Sequence, residues 1–329
     1  MNNLPYRRKR LSFYLLTVCL IATGLLPAIG SEPGKSPSRE SKTARLVEQS
    51  RFSIPAADVS GIRIDELSGL AWDEDEQLLY AVSDKGNVFH FRLQLEGNAI
   101  VACEPVSAAA LADPEAKASP SKRFNAEGLT VQNARNGKSG DTVLVVSLES
   151  DRAQIIRFSP AGVALGELPV PSPLDDPSKY RKGKATQGLE AVAYHPEHGL
   201  MTAPESPLPG RPDNLHTLYA SDRHWSFERH SRDSRLKAID LLADGNALVL
   251  ERSQTGKGSN RTVTPSLRKV NLVACPRDGT CETETLGVLP AGADNFEGMT
   301  LMGDHRVLIV SDHRAKDPGS TTLMLLTLP

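Results

Sequence analysis

Short apolar runs separated by turn residues dominate the chain from about residue 51 onward. Runs at 77–82, 142–148, 247–250 and 306–310 alternate with segments rich in Gly, Asp and Asn. Runs of this length predict β-strands, and no long amphipathic stretch predicts a helix. Aromatic residues make up only 5 % of the chain, while Gly and Pro total 25 and 23, which also favours many short elements joined by turns. The sequence therefore predicts an all-β domain.

The apolar runs repeat as a unit. The unit begins with an acid or Ser, followed by a small residue, an aliphatic residue, a small residue and an apolar residue. Clear copies start at Ser68, Glu127, Glu190 and Glu297, and a degenerate fifth copy lies at 238–242. A second apolar run follows each copy and ends in an acid, at Asp84, Glu149, Glu205, Glu251 and Asp312. The spacing fits one four-stranded blade plus a long loop, so we predict a β-propeller of five or six four-stranded blades, a sixth being too degenerate to recognise.

The repeat predicts that acids gather at one mouth of the propeller channel. In a blade the first strand lines the channel and the second runs antiparallel to it, so the start of one and the end of the other share a face. This places Glu127 beside Glu149, Glu190 beside Glu205, Glu297 beside Asp312, Asp84 near Ser68 and Glu66, and Glu251 near Asp240.

Crowded carboxylates are costly unless they are protonated or neutralised, and Ca²⁺ takes six to eight oxygen ligands. We therefore predict one or more Ca²⁺ sites. The expected ligands are Glu66, Asp84, Glu127, Glu149, Glu190, Glu205, Glu251, Glu297 and Asp312. The alternative is that these acids are separate, solvated residues at strand ends and turns.

Basic residues in the loops that follow the second strands suggest an anionic ligand. The loops at 171–187, 206–215, 253–263 and 313–320 carry Lys and Arg, and such groups bind phosphate. The alternative is that these loops are simply polar. Arg152 and Arg252 follow strand-end acids and could instead be their ion-pair partners. The chain has no G-x-S-x-G motif, which argues against a serine hydrolase.

The N-terminal segment has the layout of a secretory signal peptide. A basic stretch at 7–10 precedes an apolar run at 11–26, and small residues at Ala28 and Gly30 form a cleavage site. We predict a signal peptide at 1–30, a flexible linker at 31–50 and one domain at 51–329, in a periplasmic or secreted protein. The alternative is an uncleaved membrane anchor; after cleavage no membrane contact is expected.

Charge and cysteine content narrow the partners and the compartment. The whole chain carries 38 basic and 40 acidic residues, and removal of 1–30 takes away four basic residues and no acid, so no nucleic-acid partner is expected. Export permits disulfides. Cys275 and Cys281 flank a turn sequence at 276–280 and are expected to bridge a hairpin, with Cys103 left free.

Together these motifs resemble the phytase-like family (esterase-like activity of phytase), from about residue 60 to the C-terminus. The resemblance rests on the strings at 66–72, 80–84, 125–129, 147–150, 187–193, 250–252, 294–299 and 310–312. Ala191 stands where the family usually has Gly, and His313 where it often has Asn. The resemblance implies an exported bacterial β-propeller that hydrolyses phosphate or other esters, and alkaline phytases are Ca²⁺-dependent propellers.

The leading prediction is an exported, monomeric, Ca²⁺-dependent hydrolase that acts on a small anionic phosphate ester. The residues expected to carry catalysis are Glu127, Glu149, Glu190, Arg152, Arg252 and Lys184. One alternative is a non-catalytic propeller that binds a ligand or a protein and holds Ca²⁺ for stability. A third possibility is a carboxylesterase with an unrecognised Ser.

Overall fold

The computed structural model describes residues 45–114, 124–150, 152–176, 188–256, 261–313 and 320–329, and every regular element in these ranges is a β-strand. The strands are β1 (Val47–Ile54), β2 (Asp58–Val59), β3 (Ile62–Arg63), β4 (Leu67–Asp73), β5 (Leu78–Ser83), β6 (Asn87–Glu96), β7 (Ala99–Ala110), β8 (Ala126–Gln132), β9 (Val143–Leu148), β10 (Gln154–Phe158), β11 (Ala164–Leu168), β12 (Leu189–His195), β13 (Gly199–Pro204), β14 (Leu215–Tyr219), β15 (His224–Glu228), β16 (Arg235–Leu241), β17 (Ala247–Thr255), β18 (Thr262–Val270), β19 (Thr280–Cys281), β20 (Thr283–Val288), β21 (Phe296–Met302), β22 (Arg306–Ser311) and β23 (Thr321–Thr327).

Strands β2 and β3 form a small two-stranded sheet, and the other described strands form five larger sheets, which we number as blades one to five. Blade one is β4-β5-β6-β7, blade two is β8-β9-β10-β11, and blade three is β12-β13-β14-β15 with β19 added at its edge. Blade four is β16-β17-β18-β20, and blade five is β21-β22-β23-β1. The innermost strands contact one another in the order β4, β8, β12, β16 and β21, and β21 contacts β4 again. The predicted β-propeller is confirmed, with five blades.

The ring is closed by the first strand of the part of the chain that the structure describes. Strand β1 is the outermost strand of blade five and pairs antiparallel with β23, from Val47 opposite Thr327 to Ile54 opposite Thr321. Strand β1 begins inside the stretch 31–50 that we assigned to a linker, so that boundary was placed too late. Most of its residues are exposed or half-buried, and such an edge strand carries a weak hydrophobic pattern. The predicted signal peptide lies outside the described residues.

The inner strands are buried because each blade packs between two others. All seven residues of β4 and all seven of β21 are buried. Small residues permit this approach: a Cβ on Gly128 would lie 2.8 Å from the Cα of Ala191. Phe158 and Val82 belong to one apolar cluster that joins blades one and two. The blades therefore hold the inner strands at fixed positions around the channel.

Cys275 and Cys281 form the predicted disulfide, with their Cα atoms 4.6 Å apart, and Cys103 is a buried free thiol. We expected this disulfide to bridge the two strands of a hairpin, but Cys281 lies in a strand and Cys275 lies in a loop. The disulfide lies in the connection between β18 and β20, where the short strand β19 pairs in parallel with β15 of blade three. The disulfide therefore ties down a segment that links blade four to blade three.

None of the described residues forms a helix that is long and apolar enough to cross a membrane.

Candidate functional site

Every inner strand has the same irregularity near its start. The register with the second strand shifts after Leu67, Ala126, Leu189, Leu236 and Phe296, each of which is the first residue of its strand except Leu236, the second residue of β16. Such bulges re-aim a side chain out of the regular alternation. In each blade the next residue lines the same cavity, and we call these residues the inner ring: Ser68, Glu127, Glu190, Lys237 and Glu297.

A second set of equivalent residues surrounds the inner ring. Each of them directly follows the residue of the second strand that pairs with the last inner-strand residue before the register shift. We call these residues the outer ring: Asp84, Glu149, Glu205, Arg252 and Asp312. In four blades a backbone bond fixes the position, as where the N–H of Asp312 donates to the carbonyl of Asn295 at 2.8 Å. The repeat therefore places ten side chains at one mouth.

Both rings line a cavity of about 540 Å³, together with Glu66, Arg261 and Asn295. The two rings contain seven carboxylates and two cations. The structure thus brings together eight of the nine acids that we predicted as metal ligands. The fold explains this convergence, because blades related by rotation about an axis put equivalent residues at equal depth.

Glu251 is the predicted ligand that lies elsewhere. It pairs with Leu236 and so occupies the position before the outer ring. Its carboxylate is fully buried and accepts hydrogen bonds from Arg268 at 2.6 Å, from Ser234 at 2.5 Å and from the backbone N–H of His230 at 2.8 Å. His216 Nε2 lies 3.5 Å away. Glu251 therefore belongs to a structural polar network between blades three and four.

Blade four reverses the charge of both rings. Lys237 takes the inner-ring position where three other blades have Glu, and Arg252 takes the outer-ring position where the other four have an acid. Both side chains are buried, with 4 % and 5 % relative exposure. Two cations are therefore built into an acidic cavity.

These two cations bind the acids of the flanking blades. Lys237 Nζ lies 2.9 Å from Glu205 Oε1 and 3.4 Å from Glu297 Oε1, and it also donates a hydrogen bond to Glu190. Arg252 donates to Glu297 and, at 2.6 Å, to Asn295 Oδ1, and it lies 3.4 Å from Glu205. Three acids of blades three and five thus share two fixed cations.

The pKa values follow from this arrangement. Burial lowers the pKa of Lys237, but Glu190, Glu297 and Glu205 outweigh it and raise that pKa. Burial raises the pKa of both Glu205 and Glu297, but Lys237 and other cations outweigh it, so both pKa values fall below their usual range. Burial dominates at Glu190, whose pKa is raised to about 8. Glu205 and Glu297 therefore balance the two cations, while Glu190 retains a proton near neutral pH.

The opposite half of the cavity has no such pair of buried cations among the described residues. Glu127 has 9 % relative exposure, and it makes no hydrogen bond or ion pair with any described residue. Burial and then Glu190 raise its pKa well above the usual range. Burial and a hydrogen bond to Glu66 raise the pKa of Asp84 to about 8. Lys85 pairs with Glu66 at the rim and comes 3.8 Å from Asp84.

The donor set fits a hard cation. One carboxylate oxygen from each of Glu127, Glu190 and Glu297 lies within 4.8 Å of the others, and Glu149 and Asp84 line the same cavity. No His or Cys lines this cavity among the described residues, and ligands made of oxygen alone suit Ca²⁺ better than zinc. A carboxylate that is nine-tenths buried without a partner is costly unless a proton or a cation compensates it, so Glu127 fits a cation ligand.

Only some of the predicted basic residues line the cavity. Arg252 lines the cavity. Arg152 does not: it is exposed and pairs with Glu167 at 2.7 Å, beside a smaller cavity. Lys184 lies outside the described residues. Arg261, from one of the predicted basic loops, lines the cavity and is exposed.

Sequence reasoning missed Lys237 because it placed the degenerate fifth copy of the repeat at 238–242, one residue too late. In the structure Asp240 lies in a different cavity, beside Leu241 and Thr300, and accepts hydrogen bonds from the N–H groups of Leu301 at 2.7 Å and Leu241 at 2.8 Å. The predicted proximity of Asp240 to Glu251 is therefore wrong. The string Leu-Lys-Ala-Ile at 236–239 matches the other copies if Lys is allowed at the acidic position.

A family model described as "Phytase-like: Esterase-like activity of phytase" matches residues 62–313 of the chain. The match includes both rings and all of the strands from β3 to β22. No curated protein matches the chain.

Solved propeller structures are similar to the chain at low identity. A PQQ-bound aldose sugar dehydrogenase from Streptomyces coelicolor is 10 % identical, with 87 % of this chain and 99 % of that chain covered and a TM-score of 0.41. A luciferin-regenerating enzyme is 11 % identical, with 84 % and 94 % covered and a TM-score of 0.41. The Dos1 propeller is 11 % identical, with 81 % and 69 % covered and a TM-score of 0.38.

Proposed function

The chain belongs to the phytase-like family, described by the esterase-like activity of phytase, and from this premise we propose that it is a hydrolase of phosphate esters that uses Ca²⁺. The reaction would take place in the cavity formed by the two rings. The observation that carries the proposal is Glu127, a buried carboxylate without a protein partner among the described residues, which lines an oxygen-rich cavity.

Asp84, Glu127 and Glu149, on blades one and two, are the residues that would hold the ion. They lie on the side of the ring away from Lys237 and Arg252, and their negative charge attracts a cation there. Bound Ca²⁺ would supply positive charge against the phosphoryl oxygens and would make a bound water more acidic.

Arg261 is the residue that would bind the phosphate. Its guanidinium lines the cavity and is exposed, and the hydrogen bond that it makes within the described structure is a long one, 3.5 Å to Asn295 Oδ1. Guanidinium groups bind phosphate oxygens in a bidentate geometry. Arg252 also donates to Asn295, so the amide is held in place beneath Arg261.

Glu190 is the residue that would donate a proton to the leaving oxygen. Its carboxyl is buried at the cavity wall, and its pKa of about 8 keeps it protonated at neutral pH. A general acid works best when its pKa lies near the working pH. The hydrogen bond from Lys237 holds this carboxyl in position.

The test is the release of phosphate from phytate and from an aryl phosphate, measured with Ca²⁺ and after chelation. We expect release that requires Ca²⁺ and that is lost in Glu190→Gln. Glu167→Gln is the matched control, because Glu167 is a carboxylate outside the cavity. Release that is absent, or that is indifferent to the chelator, would contradict the proposal. Ca²⁺ binding and thermal stabilisation without any hydrolysis would favour the alternative, a non-catalytic propeller with structural Ca²⁺.

We further propose that the protein is exported and acts as a monomer on small anionic substrates. The basic and apolar pattern of residues 1–30 supports export, and Arg261 at the cavity supports an anionic substrate. Expression of the full chain followed by N-terminal sequencing of the mature form tests the export, and cleavage after Gly30 is expected. An intact N-terminus on a membrane-bound form would contradict it.

A further inference from the structure

We propose that Lys237 and Arg252 stand in for a second Ca²⁺, so that the cavity binds a single Ca²⁺ on the side of blades one and two. Lys237 then determines the metal stoichiometry of the cavity. This inference rests on the proposed function, because it concerns the ion that the hydrolase would use.

Lys237 occupies the same structural position in its blade as the inner-ring glutamates occupy in theirs. The five inner-ring positions are related by the repeat, and three of them carry Glu. Lys237 projects from the same bulge as Glu127, Glu190 and Glu297, so its ammonium reaches the same region of the channel as their carboxylates. A cation at this point neutralises acids on both neighbouring blades without an external ion.

Lys237 already occupies the carboxylate oxygens that a second ion would need. Its Nζ contacts Glu190, Glu205 and Glu297, from blades three and five. A divalent ion among these three carboxylates would need the same oxygens and the same space. The ammonium therefore excludes the ion by occupancy and by charge repulsion. Arg252 reinforces this exclusion, since it binds Glu205 and Glu297 from the other side.

Glu127 is a cavity carboxylate that neither Lys237 nor Arg252 contacts. Glu127 is nine-tenths buried, lines the cavity and has no hydrogen-bonding or ion-pair partner among the described residues. It lies on blade two, which is not adjacent to blade four in the ring. Lys237 neutralises its contact partners directly but acts on Glu127 only from a distance and does not offset the burial of that carboxyl, so the ion is expected beside Glu127.

The experiment is a Ca²⁺ titration by isothermal calorimetry, together with Tb³⁺ luminescence, on the whole mature protein. The wild type is expected to bind one ion. Lys237→Met keeps the length of the side chain and removes the charge, and we expect it to bind two ions and to melt at a temperature that rises with Ca²⁺ far more than in the wild type. Lys269→Met is the matched control, because Lys269 pairs with Asp244 outside the cavity; it is expected to bind one ion.

Two ions bound to the wild type, or one ion in Lys237→Met with an unchanged response of melting to Ca²⁺, would overturn the inference. If Lys237→Met folds only when Ca²⁺ is present, the inference is supported. If Lys237→Met does not fold with or without Ca²⁺, Arg252→Met is tested in its place and is expected to bind two ions. The number of ions bound by the wild type then still tests the inference, since two ions would overturn it.

The outcomes also separate this inference from the proposed function. A wild type that binds one ion but does not hydrolyse phosphate esters contradicts the proposed function and leaves the role of Lys237 intact. A wild type that hydrolyses with Ca²⁺ but binds two ions contradicts only the role of Lys237.

Discussion

Lys237 Nζ lies 2.9 Å from Glu205 Oε1, and the two residues belong to neighbouring blades. Arg252 makes the corresponding contact in the other direction, with Glu297 of blade five. Blade four is therefore joined to both neighbours by buried ion pairs at the channel mouth. The same contacts stabilise the ring and divide the carboxylates of the cavity into a neutralised half and an acidic half.

Removal of the Lys237 charge should destabilise the protein strongly. Lys237→Met leaves three buried carboxylates with one fewer cation, and breaking a buried ion pair from one side costs about 3–5 kcal/mol. Adding Glu205→Gln should recover part of that loss, because Arg252 then balances Glu297 while Glu190 keeps its proton. Urea unfolding in Ca²⁺-free buffer measures the free energy of unfolding of the single and the double variant, with Lys269→Met as the surface control. A double variant that is no more stable than Lys237→Met alone would contradict the coupling.

Glu127→Gln should weaken Ca²⁺ binding by roughly tenfold or more, since it removes a charged ligand from the site. The same substitution should not destabilise the Ca²⁺-free protein, because a buried amide without a counter-ion is less costly than a buried carboxylate. Calorimetric titration and a thermal melt of the same sample measure the two effects. An unchanged Ca²⁺ affinity would remove Glu127 from the site.

The acid stability of the protein should depend on Glu251, outside the cavity. Burial raises the pKa of Glu251, but His216, Ser234 and the N–H of His230 outweigh it and lower that pKa to about 2. Because the folded pKa lies below the unfolded value near 4.5, the stabilisation is complete above about pH 4.5 and is lost as the pH falls toward 2. Glu251→Gln should lower the free energy of unfolding by on the order of 3 kcal/mol at pH 7. The stability of the variant should also fall less steeply than that of the wild type between about pH 4.5 and pH 2. Urea unfolding across this pH range tests it; an unchanged slope in the variant would contradict it.

Deletion of β1 should open the ring. Removing residues 1–54 takes away the strand that pairs with β23 along seven residue pairs, together with the buried side chain of Ile54. The loss of these hydrogen bonds and of this burial should cost on the order of 5 kcal/mol. Removal of residues 1–44 keeps β1 and is the control. Equal thermal stability of the two truncated proteins would show that β1 does not close the propeller.

The sequence predicted the architecture because each blade repeats a recognisable pattern. The spacing between Glu127, Glu190 and Glu297 reveals the inner strands, and topology then brings the start of the first strand and the end of the second to one face. Eight of the predicted acids line the cavity for this reason. Closure by β1 was missed because an edge strand with exposed Glu48 and Arg51 resembles a polar linker.

The fourth blade was read incorrectly because its two ring residues are basic. A template that requires acids selects Asp240 and Glu251, which are respectively three positions after Lys237 and one position before Arg252. In a strand a shift of one residue moves a side chain to the other face, so Glu251 enters the interior of the blade and Arg252 enters the cavity. The bulge that sets this register is a property of the backbone and leaves little trace in the sequence.

The most direct test of the account is a crystal structure of the mature protein grown with Ca²⁺ and phosphate, with anomalous data used to locate the ion. The account predicts one Ca²⁺ within 2.3–2.6 Å of a Glu127 oxygen, the phosphate against Arg261, and Lys237 still in contact with Glu190 and Glu205. A cavity that holds no ion at saturating Ca²⁺, or an ion between Glu190, Glu205 and Glu297 with Lys237 displaced, would contradict it.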